Sequence, residues 1–172
     1  MMWKQCKCRY CKSVSMSSLI FLIGFMCCGK TTTGKRMAAT LNYDFVDTDT
    51  LIEERCNKTV SEIFITEGEE KFRQYEQEIL QELLHREKLV VACGGGLPCF
   101  FDNMERMNAC GTTIYLKADI ELLAQRIEKA NNVHRPLLNG KTGLELRLHI
   151  QSLLLLREKY YQQAQLVQNV TK

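Results

Sequence analysis

No segment of this sequence stays apolar for the eighteen or more residues that a membrane-spanning helix requires. An excess of charge of one sign is also missing: 23 Lys and Arg stand against 20 Asp and Glu, a net of +3, and no basic stripe gathers along the chain. That balance argues against nucleic acid as a partner. Cysteines number nine, so the even count of a disulfide scaffold is absent. Cys27, Cys28, Cys93 and Cys99 fall in or beside strand, phosphate-loop and glycine-loop patterns, which fits a protein of the reducing cytoplasm. Cys6-x-Cys8-x-x-Cys11 has no fourth ligand nearby, which favours an unstructured extension over a zinc site. Lys4, Lys7, Arg9 and Lys12 before the apolar Leu19–Cys28 run imitate a secretion signal, yet no small-residue cleavage site follows promptly. Repeats and low-complexity linkers are absent too. The expected organisation is an unstructured extension over 1–15, with Met16 a candidate start, and a single domain over 16–172.

What is present is globular: 172 residues, 45% apolar and 25% charged, enough for one sizeable core. The most informative stretch is Gly24-Phe-Met-Cys-Cys-Gly29-Lys30-Thr31, preceded by the strand-like Leu19–Ile23 and followed by a helical pattern from Lys30 to Leu41. Glycines let backbone N–H groups wrap a phosphate at the helix N-terminus. Lys30 then reaches the β- and γ-phosphates, and the Thr31 hydroxyl is placed to hold Mg²⁺. A nucleoside triphosphate is the implied ligand. The signatures of a GTPase switch, Asp-x-x-Gly after the third strand and Asn-Lys-x-Asp for guanine, do not occur.

Strand-like and helical patterns alternate, as a parallel α/β fold requires. Strands are predicted at 19–23, 44–48, 89–93, 112–116 and, weakly, 166–170. The spacing predicts a helix over 69–86 with Phe72, Tyr75, Ile79, Leu80, Leu83 and Leu84 on one face. Asp119 reads as the N-cap of a helix to Lys129, and 144–164 reads as a helix with Leu146, Ile150, Leu153, Leu154 and Tyr161 inward. Between them, Asn131–Gly143 is a polar connection of a length that suits a lid.

Three further features carry chemistry. Asp47 and Asp49, two apart at the end of the second strand, are expected to face the same way at the ligand-binding edge of the sheet. One carboxylate would order Mg²⁺ and the other accept a substrate hydroxyl; the alternative is Asp49 as a cap for a helix over Leu51–Arg55. Gly94-Gly95-Gly96 after the third strand either lets a ligand lie on bare backbone or simply turns the chain. Arg73, with Glu69 four before it and Glu76 three after, reads by default as a surface salt-bridge face, and Arg157 as a solvated helix charge.

Set in order, these pieces resemble the shikimate kinases, a family of P-loop kinases. The matching stretches are Ile23–Thr31, Phe45–Glu53, Ile63–Glu76, Val91–Gly96, Arg135-Pro-Leu-Leu138 and Leu156–Tyr161, together spanning about 16–165. The resemblance implies a three-layer P-loop kinase fold with a five-stranded parallel sheet of order 2-3-1-4-5, the last strand and C-terminal helix being incomplete at this chain's end. It implies transfer of the ATP γ-phosphate to the 3-hydroxyl of shikimate, in aromatic amino-acid biosynthesis, by a cytoplasmic monomer. Lys30, Asp49 and Arg135 are the implied catalytic residues, with Asp49 binding the shikimate hydroxyls. Thr31 and Asp47 would organise Mg²⁺. Cys27, Cys28, Gly29, Thr32 and Arg126 join Lys30, Thr31 and Arg135 around ATP, with Arg135 on a lid over about 130–143. Phe64, Phe72, Gly94, Gly95 and Gly96 would line the shikimate pocket, with Arg73 and Arg157 on the carboxylate. Cys27 stands where the family usually has glycine, and Arg157-Glu-Lys-Tyr-Tyr161 lacks the proline of the family's Arg-x-Pro-Leu-Tyr. Rival expectations are a kinase for another polyol such as gluconate and an inactive nucleotide-binding relic.

Overall fold

The computed structural model describes residues 18–130 and 141–171. Its strands are β1 (Leu19–Ile23), β2 (Asp44–Asp47), β3 (Leu89–Ala92), β4 (Thr112–Lys117) and β5 (Leu166–Asn169), all parallel, in the order β2-β3-β1-β4-β5. Leu22 and Asp47 both stand beside Ala92, and Ile23 beside Tyr115, so β1, β2 and β3 end level with one another. The segments leaving those three ends are the phosphate loop, Thr48-Asp49 and Gly94–Gly96. Parallel register alone therefore gathers every chemistry-bearing loop at one sheet edge.

Period-two alternation splits the core into two layers. Leu19, Phe21 and Ile23 of β1 face one side with Leu89, Val91 and Tyr115, while Leu22, Val90, Ile114 and Leu116 face the other. The first side is covered by α2 (Thr48–Cys56), α3 (Val60–Thr66), α4 (Gly68–Leu83) and α5 (Asn103–Cys110). The second is covered by α1 (Lys30–Leu41) and α6 (Ile120–Lys129). Helix α7 (Gly143–Tyr161) serves both, with Leu146 and Ile150 in the second core and Tyr161 in the first.

The helix ends follow local chemistry. Asp119 accepts from the Leu122 N–H at 2.7 Å and so caps α6 as expected. Helix α3 is absent from the sequence-based expectation, yet it opens on a capping box: Thr59 Oγ1 accepts from Glu62 N–H and Glu62 accepts from Thr59 N–H. Helix α5 is also unexpected; eight residues give too little periodicity to stand out. Helices α4 and α7 stop about three residues before the predicted ends, and β5 forms a four-residue ladder with β4 where an incomplete strand was expected.

One correction concerns Asp49. Strand β2 ends at Asp47, which is the N-cap of α2 and accepts from the Asp49 N–H at 3.1 Å; Asp49 lies in the first helical turn. The shared strand face and the Asp49 cap are both replaced by an Asp47 cap, because the chain turns into helix one residue earlier than the apolar run suggested. Among the described residues no helix is long and apolar enough to cross a membrane.

Candidate active site

The phosphate loop closes through left-handed backbone at Cys27 (φ 61°) and Gly29 (φ 102°) before α1 begins at Lys30. Glycine adopts that region freely, whereas Cys27 carries a Cβ there and is strained. The strain is the physical reason a glycine suits this position. Lys30 Nζ donates to the carbonyls of Gly24 and Phe25, each at 2.9 Å, which holds the ammonium over the loop. Arg126 reaches from α6 to the same loop, its Nη1 donating to the carbonyls of Cys27 at 3.3 Å and Cys28 at 3.1 Å.

A cleft of about 470 Å³ opens over the loop, walled by Met26–Thr33, Asp47, Asp49, Cys93, Gly95, Arg126 and Val170. It brings together the predicted Cys27, Cys28, Gly29, Lys30, Thr31, Thr32, Asp47, Asp49, Gly95 and Arg126. Arg135 and most of the predicted lid fall outside the described residues. Thr31 Oγ1 donates to Asp47 Oδ2 at 2.8 Å. This hydroxyl–carboxylate pair is a hard-oxygen donor set that fits Mg²⁺, an ion that keeps several waters and needs few protein ligands. Among the described residues no group of three or more His, Cys, Asp or Glu converges as a metal site.

Behind the cleft wall, the triple glycine is wedged between acids and guanidinium groups. A Cβ on Gly94 would collide with Asp49 Oδ1 and stand 2.8 Å from Glu76 Oε1; one on Gly96 would meet Arg73 Cζ at 2.7 Å; one on Gly95 would come within 3.4 Å of Arg157 Nη1. Bare backbone is thus required at 94 and 96, and the plain-turn alternative does not account for the crowding. Thr48 fixes the loop by accepting from the Gly94 N–H at 2.7 Å.

Neither arginine is a surface charge. Arg73 is 4% exposed and Arg157 8%. Arg73 does pair with Glu69 and Glu76 as its spacing suggested, with Nη2 donating to Glu69 at 2.7 Å and Nη1 to Glu76 at 2.6 Å. Burial lowers the Arg73 pKa, but Glu76 and Glu69 outweigh it and keep the guanidinium charged. Burial pushes the Glu76 carboxyl up to about 7, against the pull of Arg73 and with help from the Asp49 charge. Its Oε1 has no hydrogen-bond partner. Phe64 and Phe72, ring centroids 4.8 Å apart, stand beside Arg73, and Tyr161 donates its hydroxyl to the Gly95 carbonyl.

Sequence patterns left Glu76, Thr48, Phe100, Tyr161 and Val170 without functional assignments. For Glu76 a signal existed in Phe72-Arg-x-x-Glu76; for the others no spacing rule points to the site.

A family model described as shikimate kinase matches residues 26–172. The shikimate kinase of Azobacteroides pseudotrichonymphae genomovar. CFP2 is 51% identical over 149 residues, covering 86% of this chain and 87% of that protein. Among solved structures, the shikimate kinase from Bacteroides thetaiotaomicron superposes with a TM-score of 0.84 at 45% identity, covering 88% of this chain and 86% of that one. The shikimate kinase from Acinetobacter baumannii, in complex with shikimate, gives 0.83 at 34% identity, with 91% and 86% covered.

Proposed function

The chain belongs to the shikimate kinase family, and from that membership we propose how its own residues divide the work of phosphoryl transfer from ATP to the shikimate 3-hydroxyl. One observation carries the proposal: the glycine loop packs against Asp49 at Gly94, Arg157 at Gly95 and Arg73 at Gly96, beside the phosphate-loop cleft. A small molecule that carries both hydroxyls and a carboxylate matches that set of groups.

Phosphoryl transfer asks the protein for alignment and charge compensation rather than covalent help. The phosphate-loop N–H groups, Lys30 and Thr32 hold the ATP phosphates, with Arg126 bracing the loop through Cys27 and Cys28. Lys30 moves from the Gly24 and Phe25 carbonyls onto the phosphates. Thr31 and Asp47 hold Mg²⁺, which when bound offsets charge on the β- and γ-phosphates. Asp49 accepts a hydrogen bond from the attacking hydroxyl and draws its proton away as the bond to phosphorus forms. Arg73 and Arg157 grip the substrate carboxylate through planar, paired N–H groups. Gly94–Gly96 offer backbone to the ring, and Phe64 and Phe72 close its apolar side. Arg135, which lies outside the described residues, would by the family resemblance offset charge on the transferring group. An arginine in that role is worth about 10³–10⁵ in rate. We also propose a cytoplasmic monomer with only small-molecule partners; the thiols of Cys27, Cys28, Cys56, Cys93 and Cys99, none of them in a disulfide, support a reducing compartment.

The test is ADP release coupled to each acceptor. Turnover with shikimate and none with gluconate is expected, and Lys30→Ala and Asp49→Asn are expected to abolish it. Nucleotide binding without shikimate-dependent turnover would make the chain a relic.

A further inference from the structure

The loop after the triple glycine, Leu97-Pro-Cys-Phe100-Phe101, has no part in the assignments above, yet it is built around Arg73. Leu97 and Cys99 donate their N–H groups back to Gly94 and Gly96, at 3.1 and 2.8 Å, forming a tight 3₁₀ turn. Fully buried Asn103 donates from Nδ2 to the Leu97 carbonyl at 3.0 Å and clamps the turn from the far side. Phe101 then takes φ 51°, a left-handed conformation that is costly for a bulky side chain and that marks a fixed local geometry. The twist leaves Phe101 exposed while Phe100 turns onto Arg73.

The Phe100 ring centroid lies 4.2 Å from Arg73 Cζ, against 5.3 Å for Phe72 and 5.8 Å for Phe64. At that distance the guanidinium sits over the ring face in a dry site, where the ring quadrupole attracts a cation most strongly. The same loop meets one cation twice: Gly96, bare of Cβ, against Nη1, and the Phe100 ring beneath Cζ. Glu69 and Glu76 take three of its five N–H groups. Acids along the edges and a ring beneath fix the plane of the fork, leaving one donor on each terminal nitrogen for a planar anion.

We propose that Phe100 is a positioning residue for carboxylate recognition, holding the Arg73 guanidinium in the plane that receives the substrate's carboxylate. This rests on the assignment of Arg73 to that carboxylate under Proposed function. The test uses the full chain with fluorinated phenylalanines placed at position 100 by amber suppression, one to three fluorines on the ring. These keep the shape of the side chain while draining charge from its face. Calorimetric dissociation constants for shikimate are expected to rise stepwise, by about tenfold at three fluorines. Phe100→Leu should match the trifluoro protein, Phe100→Tyr should recover most of the affinity, and the ATP dissociation constant should stay fixed throughout. Fluorinated proteins that bind shikimate as tightly as the natural one, or a parallel loss for ATP, would overturn the proposal. Arg73→Ala is the control on its premise: unchanged shikimate affinity there overturns the carboxylate assignment itself, whereas a loss there with no fluorine effect removes Phe100 alone.

Discussion

Glu76, 1% exposed and with one oxygen unpartnered, holds Arg73 from beneath the glycine loop at the expense of its own solvation. Its folded pKa of about 7 lies above the ordinary 4.5 because burial disfavours the charged form. The linked stability is fully present below about 4.5, where the group is protonated in both states, and it is lost as pH rises to about 7. The size is on the order of 3 kcal/mol. Glu76→Gln lacks this titration, so urea unfolding at pH 5 and pH 8 should show natural-protein stability falling relative to the variant. Equal differences at the two pH values would mean that Glu76 titrates normally. Cys27 offers a second test at this scale. Relief of its left-handed strain in Cys27→Gly should stabilise the protein by about 1 kcal/mol, after the glycine's larger unfolded-state entropy is subtracted. Thermal unfolding should rise by roughly 2–4 °C.

Among the elements, α1 shows contact prevailing over propensity. Gly34 sits mid-helix, where alanine is favoured by about 1 kcal/mol. A Cβ there would meet Phe45 Cε2 at 2.5 Å and Leu22 Cδ1 at 3.2 Å, so the glycine sets how closely α1 lies on β1 and β2. Overpacking of this kind costs about 1–3 kcal/mol. Gly34→Ala should therefore lower the urea midpoint, and a higher midpoint would place the helix further from the sheet. In α3 the balance runs the other way, since seven residues hold as a helix through their capping box. Thr59→Ala should cost about 1 kcal/mol in the same measurement.

Across the whole molecule, the far edge of the sheet is tied to the nucleotide cleft. Buried Thr113 on β4 accepts from the Gln165 N–H at 3.0 Å, while Asn108 Nδ2 donates to the Gln163 carbonyl at 2.9 Å. These bonds fix the turn that leads into β5, and Val170 just beyond it donates to the Lys117 carbonyl at 2.8 Å and walls the cleft. Thr113→Val leaves the Gln165 N–H without its acceptor, at about 1–3 kcal/mol. Faster hydrogen exchange along β5 and weaker ATP binding are expected, with shikimate affinity held because the pocket proposed for it lies beyond β1. Loss of both affinities together would show that the damage is general.

The phosphate loop, the five strands and the α6 cap are set by neighbours in the chain, and the amino-acid order alone determined them. The pairing of Arg73 with Glu69 and Glu76 is likewise a matter of helical spacing. Burial is not. Arg73, Arg157 and Glu76 lose water only when the glycine loop, α2, α4 and α7 converge, and that convergence is a property of the parallel register rather than of any one segment. The same holds for Phe100, whose ring found its cation across the loop. Local sequence chose which chemical groups were available; tertiary packing chose which of them were dry, and dryness decides what a charge can do.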